Sequence, residues 1–91
     1  MKKEVITTPF VDVAFRTLDT ENRRQVNEWF RHLANWDGDE FVRNHSYSLD
    51  SLPGVHVLKT DSDLRIFFKI EGNTLTVVDI ATRQSIETSG Q

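Results

Sequence analysis

The chain has 91 residues, and its 11 Lys and Arg against 14 Asp and Glu give a formal net charge of −3. This length predicts a single domain over residues 1–91 with one modest core, and it excludes separate cofactor and substrate domains. The 37% hydrophobic and 27% charged residues are ordinary for a soluble globular protein. Because the chain has no cysteine, disulfide scaffolds, iron–sulfur clusters, cysteine-ligated zinc and thiol catalysis are excluded.

No segment predicts a membrane span or a secretory signal. Charged and polar residues interrupt the basic start before a long apolar run forms, and no stretch approaches the roughly 20 apolar residues that a span needs. We therefore expect a cytoplasmic protein with no membrane partner.

The N-terminal half predicts one strand followed by two helices. Residues 3–8 are rich in β-branched side chains, which is typical of an edge or terminal strand. Apolar residues then recur at helical spacing over residues 10–18 and again over residues 21–36. Asp19 or Thr20 can cap the second helix, because both side chains accept hydrogen bonds from free backbone N–H groups.

The C-terminal half predicts strands. Residues 40–53 show the weakest pattern, with room for one helical turn at their start, and the apolar period then changes to 2 over residues 55–59, 64–71 and 75–80. The two-residue turn at 72–73 predicts a hairpin. We therefore expect an α+β fold of order β-α-α-β-β-β, with two N-terminal helices packed on a mostly antiparallel four-stranded sheet.

The hairpin fixes an expected register and an expected face for each side chain. The expected pairs are Glu71 with Thr74, Ile70 with Leu75 and Phe68 with Val77. Strict alternation places Asp79 and Arg83 on the face of Phe68, and Arg65 on the opposite face. The two arginines therefore converge only if the chain bends or bulges after Ile80.

Arg65 is the first candidate for a phosphate ligand. An arginine in the middle of a strand holds its fork of donors in one place, which suits bidentate phosphate recognition, although a solvated face with a cross-strand ion pair is as good an interpretation. Arg83 is a second candidate, and Lys59 and Lys69 can extend a basic strip. Residues 55–83 carry four basic and four acidic side chains, so this half is a weak electrostatic footprint for nucleic acid.

The histidines do not predict a metal site. His32, His45 and His56 include no pair at the i, i+4 spacing, and we expect no metal and no cofactor. His32 is expected to stack at the edge of the core. His45 or His56 could shuttle a proton near neutral pH, against the alternative of an ordinary surface histidine. Asp79 is interpreted as a structural residue that needs a partner.

Three stretches of the C-terminal half resemble the RelE/ParE superfamily of bacterial toxins. They are Leu52-Pro53-Gly54-Val55-His56-Val57-Leu58-Lys59, Leu64-Arg65-Ile66-Phe67-Phe68-Lys69-Ile70 and Leu75-Thr76-Val77-Val78-Asp79-Ile80-Ala81-Thr82-Arg83. The expected order of elements is also similar to that family's fold over roughly residues 3–83.

The resemblance implies two activities. RelE-like members cleave mRNA in the ribosomal A site without a metal, ParE-like members inhibit DNA gyrase, and an antitoxin protein neutralises both. By position, Arg65 matches an arginine that contacts the scissile phosphate, and Arg83 matches one proposed to stabilise the transition state. Lys59 matches a basic residue at the end of the earlier strand.

Several positions depart from the pattern of the ribonuclease members. Residues 85–89 supply neither the tyrosine nor the histidine usual in the tail, and Val55 and Val57 stand where some members have lysines. Proton transfer then falls to His56 or His45. The sequence predicts a toxin that is a ribosome-dependent, metal-independent mRNA endoribonuclease. A ParE-like gyrase inhibitor and a detoxified protein-binding relative are the alternatives.

The expected site of that endoribonuclease has two parts. Its catalytic residues are Arg65, Arg83 and His56. Its RNA-binding residues are Lys59 and Lys69.

Overall fold

The computed structural model describes residues 2–60 and 62–82. The helical elements are α1 (Pro9–Thr17), α2 (Thr20–Ala34), a short 3-10 helix (Trp36–Gly38) and α3 (Glu40–Asn44). The strands are β1 (Glu4–Thr7), β2 (Ser46–Ser48), β3 (Val55–Lys59), β4 (Leu64–Glu71) and β5 (Thr74–Thr82).

Side-chain caps begin both long helices. Thr8 caps α1 by accepting a hydrogen bond from the Val11 N–H, and Pro9 fills the first helical turn, where its missing N–H costs nothing. Asp19 caps α2 by accepting from the Asn22 N–H at 2.8 Å. The second predicted helix is therefore confirmed, except that Trp36 falls in the 3-10 helix that follows it.

The strands form one five-stranded sheet of order β1-β5-β4-β3-β2. β1 pairs with β5 in parallel, and the other neighbours pair antiparallel. The expected α+β class is confirmed, but the four-stranded sheet is wrong, because residues 46–48 supply a fifth strand. Three residues are too few to show an alternating pattern in the sequence. The helical turn expected at the start of residues 40–53 is confirmed as α3.

The β4–β5 hairpin has the expected register at its turn and an unexpected bulge further along. Gly72 occupies the first turn position with φ 59°, a conformation that glycine adopts without steric cost. The predicted pairs Glu71–Thr74, Ile70–Leu75 and Phe68–Val77 are all present. Phe67 then pairs with Asp79, so Val78 has no partner in β4.

This bulge corrects the predicted side-chain faces in the second half of β5. Beyond Val78 the alternation is inverted, so Asp79 and Ala81 pair with Phe67 and Arg65 and share their face. Asp79 is exposed there, and its carboxylate accepts a hydrogen bond from the backbone N–H of Ile80. The expectation that Asp79 lies on the apolar face is therefore wrong.

The core lies between the helices and one face of the sheet. The helices contribute Val11, Val26, Trp29 and Leu33, and the strands contribute Leu58, Leu64, Ile66, Phe68, Leu75, Val77 and Ile80. Burial of these side chains removes apolar surface from water, which is the main driving force for folding. Among the described residues, no helix has the length and apolar character to cross a membrane.

Candidate nucleic-acid interface

The second face of the sheet, which we call the open face, lies opposite the helices and carries a different set of side chains. Paired residues share a face, so the register defines two rows across the strands. The outer row contains Lys59, Arg65 and Ala81. The next row contains Tyr47, Val57, Phe67 and Asp79.

Arg65 is the second residue of β4 rather than, as expected, a residue in the middle of the strand, and it is half-buried. Its guanidinium is oriented by the loop before the strand. Its Nη1 donates to the carbonyl oxygens of Ser62 at 3.1 Å and Leu64 at 2.9 Å. Both contacts use the same nitrogen, so within residues 2–60 and 62–82 no hydrogen bond engages the Nε–H and the Nη2 amino group, and these can donate to an anion. A fixed fork with free donors is the arrangement that recognises phosphate oxygens.

The two predicted lysines stand at different distances from Arg65. Lys59 is exposed and pairs with Arg65 directly across β3 and β4. Lys69 is also on the open face, but it lies four residues along β4 from Arg65, about 13 Å at the usual rise of a strand. Arg65 and Lys59 therefore form one cationic pair, and Lys69 lies apart from it toward the hairpin.

His56 is not brought together with Arg65. It pairs with Phe68 and stacks on that ring at 5.3 Å between centroids, with Trp36 6.0 Å away. The reason is strand alternation: His56 and Lys59 differ by an odd number of positions, so they lie on opposite faces of β3. The structure therefore separates His56 from Arg65, Lys59 and Lys69, which lie on the other face of the sheet, and its role as a proton shuttle beside Arg65 has no geometric support.

Arg83 lies outside the described residues. Within the described residues, the bulge at Val78 places Ala81 on the face of Arg65, against the strict alternation expected for β5.

Two aromatic residues of the open face had no place in the predicted site. Tyr47 in β2 is 50% exposed, and Phe67 in β4 is half-buried. Val57 pairs with both of them and is itself 1% exposed. Aromatic side chains on a sheet offer surfaces on which unpaired bases stack. The alternation of β4 already put Phe67 beside Arg65 in the sequence, whereas Tyr47 lies on the strand that the pattern did not reveal.

The charges of the open face are balanced in number, and both signs occur at both ends of the strands. Glu4 and Glu71 stand at the hairpin end together with Lys69. Asp79 stands on the same face as Arg65, one row away from it. Across the described residues, the attraction of this face for an anion therefore depends on the oriented donors of Arg65 rather than on an overall positive potential.

Away from the open face, the described histidine and acidic side chains include one close pair but form no metal site. Over residues 2–60 and 62–82, no group of three or more His, Cys, Asp or Glu side chains is arranged to hold a metal ion. His32 does form a close pair with Asp39, with its Nδ1 2.6 Å from Oδ2. This hydrogen bond, together with the one from the Val42 N–H, lowers the pKa of Asp39 below its ordinary value.

Comparison with known proteins gives matches in structure only. No protein-family model and no curated protein matches the sequence significantly. A chain of the RelB-RelE antitoxin-toxin complex from Methanococcus jannaschii superposes with a TM-score of 0.75 at 9% identity, covering 94% of this chain and 99% of that one. A chain of the toxin-antitoxin complex RelBE2 from Mycobacterium tuberculosis gives a TM-score of 0.72 at 16% identity, covering 91% of this chain and 100% of that one.

A third structure agrees with these two. A chain of the intact RelBE toxin-antitoxin complex from E. coli gives a TM-score of 0.69 at 12% identity, covering 88% of this chain and 95% of that one. The agreement extends over nearly the whole length of each chain. The protein therefore has a RelE-like toxin fold.

Proposed function

We propose that this protein is the toxin of a toxin–antitoxin system and acts as a ribosome-dependent, metal-independent mRNA endoribonuclease. The observation that carries the proposal is the half-buried Arg65, oriented by two carbonyl groups on the face that also presents Phe67 and Tyr47. A fixed guanidinium beside stacking surfaces suits a single-stranded RNA segment, which offers both phosphates and unpaired bases.

Arg65 and Lys59 carry the chemistry of this proposal. In RNA cleavage without a metal, the 2′-oxygen forms a bond to the neighbouring phosphorus and the bond from phosphorus to the 5′-oxygen breaks. Because the described residues of the open face include no histidine, a water molecule accepts the proton of the 2′-hydroxyl and another water molecule gives a proton to the departing 5′-oxygen. The guanidinium of Arg65 stabilises the charge that develops on the phosphate, and Lys59, directly across from it, adds a second positive charge.

The other three predicted site residues differ in the role that this proposal gives them. Lys69 contributes to binding of a flanking phosphate, because it lies on the same face at a distance of about two nucleotides. Arg83 stays a candidate for the second transition-state ligand. His56 is left out, since it lies on the other face of the sheet.

An antitoxin is the partner that the proposal requires. The three structural neighbours are chains of antitoxin–toxin complexes. In this protein Phe10 is 80% exposed and Val13 is 60% exposed, both on α1. Large apolar side chains that are exposed together mark a surface for a protein partner, so we assign α1 to antitoxin binding.

A non-enzymatic inhibitor of a protein target such as DNA gyrase is the second candidate. It is favoured by one observation: among the described residues of the open face there is no histidine, because His56 faces the helices. With no imidazole to exchange protons at the phosphate, the face would serve binding only. A detoxified relative that only binds a partner would have the same open face.

Induced expression in a bacterial host separates these functions. Growth is followed while the cleavage of a reporter mRNA is mapped by primer extension. We expect growth arrest with cuts phased to codons. Arrest with intact mRNA would favour the gyrase inhibitor, and normal growth would favour the detoxified relative.

Arg65→Ala tests the site itself. We expect this variant to lose at least a hundredfold of the cleavage activity, because one electrostatic contact to a transition state is often worth about 3 kcal/mol. Arg65→Lys is the matched control: it keeps the charge and loses the fork of donors, so an intermediate activity is expected. Full cleavage by Arg65→Ala in a folded protein would contradict the assignment.

A further inference from the structure

A groove on the helix side of the molecule is not used by the proposed cleavage site. It has a volume of about 380 Å³ and lies between α2, α3 and the loop that joins β3 to β4. We call it the aromatic groove, and its walls are formed by Arg24, Glu28, Trp29, His32, Phe41 and Ser62.

Two stacked rings form one wall of the aromatic groove. Trp29 is 7% exposed and belongs to the core, and Phe41 lies nearly parallel to it, with an angle of 9° and a centroid distance of 5.5 Å. Phe41 is 47% exposed. The imidazoles of His45 and His32 also flank this ring, at 4.3 Å and 5.6 Å between centroids. The exposed part of a ring that is backed by a buried indole offers a surface for another flat aromatic group.

The imidazole of His32 is held in one orientation beside these rings. Its Nδ1 lies 2.6 Å from Oδ2 of Asp39, whose Oδ1 accepts from the Val42 N–H at 3.1 Å. Asp39 is thereby fixed at the start of α3, and it fixes His32 in turn. The second ring nitrogen, Nε2, is the one available to hydrogen-bond a ligand in the groove.

The charges of the aromatic groove favour an uncharged ligand over a phosphate. Arg24 is the only arginine among its lining residues, and it makes ion pairs with Glu21 and Glu28 on the same helix. These two glutamates hold the pKa of Arg24 above its ordinary value. An incoming phosphate would have to compete with both carboxylates, whereas a neutral base would only need the rings and Nε2 of His32.

The aromatic groove is continuous with the Arg65 site through one residue. Ser62 lines the groove, and its carbonyl oxygen accepts the hydrogen bond from Nη1 of Arg65. Because the two sites share this residue, a nucleotide next to the phosphate that Arg65 is proposed to hold is the source of a base that the groove would take.

From these contacts we infer that the aromatic groove binds an unpaired nucleobase, stacked on Phe41 and hydrogen-bonded to His32, from the RNA strand whose phosphate Arg65 holds. The link to that strand rests on the proposed function. The nucleobase site itself does not, because a free nucleoside offers the same ring without a phosphate.

The test is a titration of the purified protein with adenosine, followed by NMR of its two tryptophan indole N–H signals. Trp36→Phe assigns the signals. We expect adenosine to shift the Trp29 signal and leave that of Trp36, which contacts His56 and Phe68 instead, unchanged. An absent Trp29 shift up to the solubility limit of adenosine would overturn the inference.

Variants separate this groove from the site at Arg65. Phe41→Ala should weaken adenosine binding about tenfold, because stacking of a base on an aromatic ring contributes that much. Phe41→Tyr is the matched control and should bind as the parent protein does. Arg65→Ala should also bind adenosine normally, since the nucleoside has no phosphate.

The two proposals fail in different ways. A Trp29 shift with adenosine, in a protein that does not cleave mRNA, would overturn the endoribonuclease and keep the nucleobase site. Cleavage that is lost in Arg65→Ala but unchanged in Phe41→Ala, with no adenosine shift, would keep the endoribonuclease and overturn the nucleobase site. Growth arrest that Phe41→Ala abolishes, again with no adenosine shift, would assign the groove to a protein partner and overturn the inference.

Discussion

The two faces of β4 differ in what they carry. Leu64, Ile66 and Phe68 point toward the helices, and each is at most 1% exposed. Between them, Arg65 and Phe67 point to the open face and are half-buried. Residues one position apart in a strand therefore belong to different environments, so neighbouring substitutions should affect different properties of the protein: stability on the helix side and binding on the open side.

The largest expected effect on stability is that of Phe68→Ala. Phe68 is fully buried among the helices and strands, and removing a buried phenyl ring typically costs about 3–5 kcal/mol. Phe67→Ala, one position earlier, should cost less than half as much, since that ring is half-buried. Urea denaturation followed by tryptophan fluorescence measures both. Equal losses of unfolding free energy in the two variants would show that the helix side and the open face of β4 do not differ in burial as described.

His56→Ala should lower the free energy of unfolding by roughly 1–2 kcal/mol, because the imidazole stacks on Phe68 and lies near Trp36 on the helix side. His56→Phe keeps a flat ring there and should restore most of that stability. The mRNA cleavage of His56→Phe should equal that of the parent protein. Abolished cleavage in a variant of normal stability would mean that His56 reaches the substrate, against its place on the helix side.

Asp39→Asn should have a smaller effect on the free energy of unfolding, and this effect should depend on pH. The pKa of Asp39 is lowered in the folded protein, first by the hydrogen bond with His32. A carboxyl group with a lowered pKa stabilises the fold at pH values above its unfolded pKa, and this contribution is lost as the pH falls through the folded pKa. The parent protein should therefore be more stable than Asp39→Asn at pH 5, and the difference should vanish in strong acid.

Asp19→Asn is the control for that pH dependence. Both aspartates cap a helix, and asparagine caps equally well, but Asp19 has no histidine partner. Unfolding in urea over a series of pH values should therefore show a larger pH-dependent difference for Asp39→Asn than for Asp19→Asn. A stability difference that stays constant down to strong acid would contradict the stabilising hydrogen bond between Asp39 and His32.

Periodicity and turn chemistry predicted much of this fold. The two long helices, the Gly72 turn and the pairing of Phe68 with Val77 follow from spacing and from residues suited to caps and turns. β2 was not predictable in this way, because its three residues are too short for a pattern. The bulge at Val78 was missed although the sequence carries a sign of it, since strict alternation puts the charged Asp79 on the apolar face and Ile80 on the other, and the bulge reverses both.

The candidate site was predictable in part for the same reasons. Arg65 and Lys69 could be placed on one face of β4 from alternation, whereas the pairing of Lys59 with Arg65 depends on the β3–β4 register, which the sequence did not predict. His56 was grouped with them because of its chemistry, although its odd spacing from Lys59 already placed it on the other face. Tyr47 was missed as part of the open face because its strand was missed. The aromatic groove depends on contacts between α2 and α3, which no local pattern encodes.

The central claim is that the open face around Arg65 holds RNA, and chemical-shift mapping tests it most directly. The probe is a short single-stranded RNA with 2′-O-methyl groups, which offers phosphates and bases but cannot attack itself. We expect shifts at Tyr47, Val57, Arg65 and Phe67 that Arg65→Ala strongly reduces. No shift on the open face, or shifts there that Arg65→Ala leaves unchanged, would contradict the claim.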